Sequence, residues 1–94
     1  MTFKSIVENI IEREARQALE KVLDNNDGFD FGTVELQSKD KMFQNFAVDF
    51  EEFGKPWTYR VIGFISDLGF VTPTHYRLGD GAQWHNIKNG MEVR

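Results

Sequence analysis

Two histidines, His75 and His85, flank the turn Gly79-Asp80-Gly81, and acid–base chemistry would have to start there. If the segments around that turn close as a hairpin about Asp80, the two imidazoles fall roughly opposite each other. They would then serve as acid and base, or ligate a metal together with Asp80. Arg60, Arg77, Tyr76 and Glu51 would supply charge and positioning for a phosphodiester, a ribonuclease-like set. The spacing matches no known metal pattern, and two histidines in 94 residues read more economically as structural or surface groups. Asp24, Asn26, Gly28, Asp30 and Glu35 fall on the first, third, fifth, seventh and twelfth positions of a calcium-loop count. Phe29 stands where that loop requires glycine, so a helix stop is the better reading. Ser5, Ser38 and Ser66 sit in no nucleophile elbow, and there is no glycine-rich phosphate loop. The absence of cysteine removes disulfides, thiolate metal sites and a cysteine nucleophile. The sequence thus points to no catalytic residue, no metal and no cofactor, and the chain is expected not to be an enzyme.

Charge is more informative. The net charge is −4, but residues 1–53 carry six Lys/Arg against twelve acids, whereas residues 54–94 carry five against three. Asp24, Asp27, Asp30, Glu35, Asp49, Glu51 and Glu52 come from consecutive segments and are expected to merge into a negative patch. Such a patch speeds docking onto a basic surface and suppresses wrong partners. The partner-binding residues expected from this are Asp27, Asp30, Glu35, Asp49, Glu51 and Glu52. The competing reading of the patch is plain solubility. In the second half, Lys55, Trp57, Tyr59, Arg60, His75, Tyr76, Arg77, Trp84, His85 and Lys88 interleave cations with rings, a composition that suits unpaired bases and phosphates. Against single-stranded nucleic acid stand the acidic whole and the need to spend several of those rings on the core.

The elements that must position these residues are legible from periodicity. Ile6, Val7, Ile10, Ile11, Ala15, Ala18, Leu19 and Val22 mark one wide face of a helix over Ser5 to Leu23. Ser5 with Glu8 forms a capping-box pattern, with Thr2 as a competing cap, and Asp24-Asn25-Asn26-Asp27-Gly28 ends the helix. Glu12 and Arg16 make a favourable pair one turn apart on its wet side. Phe46, Val48 and Phe50 alternate with Ala47, Asp49 and Glu51, the period of a strand with one buried face. After the turn Gly54-Lys55-Pro56, Trp57 to Ile65 is rich in β-branched and aromatic residues and reads as its partner strand. Pro56 to Leu68 also carries helix signals, but Gly63 and the cluster Thr58, Val61, Ile62 and Ile65 favour the strand. Phe29 to Gln37 is strand-like with a parity change that Gly32 would accommodate as a bulge. Ser38 to Lys41 reads as a loop. Phe70 to Leu78 is a strand whose Pro73 requires an edge or a bulge, and Ala82 to Ile87 is its return. Met91 to Arg94 is expected to fray.

The fold class that follows is α+β: one N-terminal amphipathic helix packed on a four- or five-stranded antiparallel sheet, as a single domain over residues 1–94. No secretory leader is read in Met1-Thr2-Phe3-Lys4-Ser5, and the apolar run at Val61 to Ile65 is too short to span a bilayer, so a cytoplasmic protein without a membrane partner is expected. The function expected is a small inhibitor or adaptor that offers an acidic surface to a basic protein partner, such as nucleic-acid-handling machinery. Nucleic-acid binding and the His75/His85 ribonuclease are the alternatives, and a homodimer through an open sheet edge is also allowed.

Overall fold

The computed structural model describes residues 3–24, 28–30, 33–40, 43–66, 68–81, 83–88 and 91–93. One helix, α1 (Phe3–Leu23), precedes seven strand segments: β1 (Phe29–Asp30), β2 (Val34–Asp40), β3 (Phe43–Glu52), β4 (Thr58–Ile65), β5 (Val71–Leu78), β6 (His85–Lys88) and β7 (Met91–Val93). All pairings are antiparallel. β1 and β2 lie along the same edge of β3, so the seven segments fill six positions in the order β1/β2-β3-β4-β5-β6-β7. The chain is therefore an α+β two-layer fold, a helix packed on a six-stranded antiparallel meander. The sixth position is Met91–Val93, expected to fray; it pairs with β6 through Asn86↔Val93, Ile87↔Glu92 and Lys88↔Met91 and covers what would be a bare edge.

The apolar stripe of α1 and the even-numbered face of β3 meet as their periods dictate. Ile11, Ala15, Ala18 and Leu19 are buried against Phe29, Phe46, Val48, Phe50, Val61, Tyr76 and Ile87. Phe46, Phe50, Ile11, Leu19, Val48 and Val61 are essentially inaccessible to water. Each such side chain contributes about 1.5–3 kcal/mol by leaving water. The helix starts at Phe3, ahead of Ser5, so the Ser5–Glu8 capping box does not mark its first residue, and Thr2 lies outside the described residues. At the other end Asp24 takes φ +52°, the left-handed stop that Asp and Asn tolerate.

Pro56 to Leu68 does not coil. Thr58–Ile65 is strand, paired with β3 from Gln44↔Ile65 to Glu51↔Thr58. Gly63 shows why: a Cβ there would run into the Thr72 carbonyl oxygen and come within 2.8 Å of the Phe46 ring and of Pro73 Cα. The missing side chain lets β5 and Phe46 close on β4. Pro73 sits in a central strand, with the register shifting from Ile62↔His75 to Gly63↔Pro73 and Thr74 as the extra residue, so the bulge solves the missing donor. Where a loop was expected from Ser38 to Lys41, β2 runs on to Asp40 with its own irregularity between Leu36 and Lys39, and Lys41 lies outside the described residues. The parity change at 29–37 is met by breaking the strand into β1 and β2; Gly32 lies outside the described residues.

Candidate functional site

With α1 on one side of the sheet, the other side is left uncovered among the described residues, and strand register decides what it displays. Odd-numbered residues of β3 point there. Asp30 pairs with Glu51, Glu35 with Ala47, and Asp49 with Arg60, which in turn pairs with Arg77. Asp30, Glu35, Asp49 and Glu51 therefore share one face although they come from three segments. Glu52 has the opposite parity and is tied down at the strand end, where its Oε2 accepts the Trp57 Nε1–H at 2.7 Å. Asp27 lies outside the described residues.

Arg60 is set into the acidic group. Its guanidinium donates to Asp49 at 3.2 and 3.3 Å and to Glu35 at 2.9 Å, joining β2, β3 and β4 across the face. Read by residue type, Arg60 is expected to contact a phosphodiester or a base. The register instead makes it an internal counter-ion, because position 60 falls opposite Asp49. Beside it an open hollow of about 430 Å³ is lined by Asp49, Trp57, Thr58, Arg60 and Asp80. The turn after β3, where Gly54 takes φ +75°, brings Trp57 to the rim, and the Lys55 ammonium lies 5.4 Å from its ring centroid. Phe53 stands at the same end, 61% exposed, an apolar group not singled out in the sequence because it follows the alternating run of β3.

The two histidines are not brought together. His75 pairs with Asn86, whereas His85 pairs with Tyr76, a one-residue offset that puts the imidazoles on opposite faces of the sheet. His85 stacks on Tyr76 with centroids 5.0 Å apart on the helix side, while His75 meets Trp84 edge-on at 6.5 Å on the open side. The expected acid–base or metal pair is thus divided by the sheet itself, and no group of three or more His, Cys, Asp or Glu able to hold a metal occurs among the described residues.

The basic and aromatic residues of the second half are also divided. Tyr76 is buried and Tyr59 packs edge-on against Phe29 at 5.6 Å, so both rings serve the core. Burial, reinforced by the nearby Glu52 carboxylate and opposed by the hydrogen bond with Trp57, pushes the Tyr59 phenol above its ordinary value. Arg77, Trp84 and His75 remain on the open face, with Arg77 stacked 4.4 Å over the Trp84 ring. Among the described residues no helix is long and apolar enough to cross a membrane. No family model, curated protein or solved structure matches this chain.

Proposed function

We propose that the protein is a non-enzymatic interaction module that docks the acidic part of its open sheet face onto a basic protein surface. The observation that carries this reading is the convergence of Asp30, Glu35, Asp49 and Glu51 on one uncovered face. Four carboxylates set against Arg60, with Lys55 at the rim, leave that region net negative, which speeds encounter with a cationic partner. Charge alone gives little affinity, and buried aromatic anchors supply more. Trp57 lines the hollow and Phe53, just past the end of β3, is exposed, so both are free to act as such anchors, and the hollow between Trp57 and Asp80 has room for a partner's side chain. Inhibition or adaptation of the partner follows from covering its basic surface.

The test is retention of host proteins on the immobilised chain, with nuclease present so that nucleic acid cannot bridge. The wild type is expected to hold a defined protein that the Asp30→Lys/Glu51→Lys variant does not. Raising salt from ~50 to ~500 mM should release it, because exposed charges are screened over a few ångströms at the higher value. Equal retention by the two chains would remove the acidic-face reading.

A further inference from the structure

Arg77 differs from the other described arginines in how its charge is met. Its side chain is only 22% exposed, and the one carboxylate within 4 Å among the described residues is Asp80, at 3.9 Å and itself fully exposed. Its Nε is buried without a hydrogen-bond partner. One strand away, Arg60 has two carboxylates at 2.9 and 3.2 Å. A half-withdrawn cation lacking close counter-charge is costly, and an anion brought to it offsets that cost.

The surroundings give the anion a shape. Arg77 and His75 are two residues apart on β5, about 7 Å along the strand, and both pack on Trp84, the guanidinium carbon lying 4.4 Å from its ring centroid. The Thr74 hydroxyl donates to the Ile62 carbonyl at 3.3 Å, so its oxygen accepts from His75 Nδ1–H at 2.8 Å. That chain of bonds assigns the ring proton to Nδ1 and leaves Nε2 for the open face. Once the ring takes a second proton, Nε2 becomes a donor. Among the described residues, Arg60 from β4 and Asp80 from the turn after β5 are charged groups beside this spot, while β6 opposes His75 with the neutral Asn86.

From this geometry we infer that Arg77, His75 and Trp84 form a binding site for a tetrahedral oxyanion of the phosphate class, separate from the acidic surface proposed above. The guanidinium fork takes two of its oxygens and protonated His75 a third. A carboxylate that fills the guanidinium fork with its two oxygens has no third oxygen for His75.

The experiment uses the Trp57→Phe chain, in which Trp84 alone reports by fluorescence. Inorganic phosphate should give a saturable change with a dissociation constant of order 1 mM, and acetate should not. Arg77→Gln should weaken phosphate at least tenfold, Arg77→Lys should weaken it less, and the remote Lys21→Gln should leave it unchanged; circular dichroism checks that each variant is folded. Sulfate, whose charge is constant over the range, should bind more tightly as pH falls from about 8 to about 6, where histidines gain charge. That gain should vanish in His75→Ala, which should also weaken sulfate, since one of the three contacts is lost while the guanidinium fork remains. A 5′-mononucleotide or a short single strand binding more tightly than phosphate would identify an ester as the natural source, while phosphate equal to or better than both would identify the free ion. Acetate binding equal to phosphate, phosphate binding that survives Arg77→Gln, or no saturable response would overturn the assignment.

Discussion

Tyr59 shows how one ring connects core and surface. It packs on Phe29 within the helix-facing layer, yet its hydroxyl end reaches the strand terminus beside Glu52 and Trp57. Burial and the Glu52 charge hold the phenol neutral beyond its ordinary pKa of 10.0. Its folded pKa therefore exceeds the unfolded one. The stability this represents is complete below pH 10, begins to decline there, and is lost as pH rises through the folded value. Urea midpoints measured on the alkaline side should fall more steeply with pH in the wild type than in Tyr59→Phe. Parallel curves for the two chains would contradict this. At the same scale, Arg60 and His85 show the limit of reading residues by type. Both are groups that could do chemistry, and both are absorbed by neighbours that only strand register specifies, Asp49 and Tyr76 respectively.

Among the elements, the pair β4–β5 is the one whose closeness depends on a single missing side chain. Gly63→Ala would drive a methyl against backbone of β5 and the Phe46 ring, neither of which is the loose end of a flexible chain. We expect a loss of about 3 kcal/mol, at the upper end for overpacking, read as a lowered denaturant midpoint; a change under about 0.5 kcal/mol would mean the strands can part at little cost. Much at this level was legible beforehand. The 3.6-residue period of α1 and the alternation in β3 survive because one face of each must be buried, whatever the partner. Boundaries were not so clear: β7 was expected to fray, since three residues with no pattern acquire strand geometry only by borrowing β6. The break between β1 and β2 falls where the apolar parity changes, a local signal that marked the place but not that the strand would end there.

At the scale of the molecule, the open face carries acids over β1 to β3 and an arginine-tryptophan-histidine group over β5 and the approach to β6, with Arg60 at the seam. Arg60→Met tests the balance between them. Glu35 and Asp49 are substantially exposed, so the ion pairs are worth at most about 1 kcal/mol and the fold should survive. The face gains one net negative charge, so a lysine-rich peptide should bind more tightly and with a steeper dependence on salt than to the wild type. Weaker binding would show that Arg60 organises the carboxylates instead of cancelling them. The sequence by itself determined the two layers, the leading helix, the central hairpin and the excess of acid in its first half, because burial periodicity and composition are local properties. Tertiary structure decided which of those side chains share a face, since a shift of one residue in strand pairing moves a group through the sheet. That shift parted the histidines, gathered Asp30, Glu35, Asp49 and Glu51, and left Arg77 on Trp84 with Asp80, at 3.9 Å, as its carboxylate among the described residues.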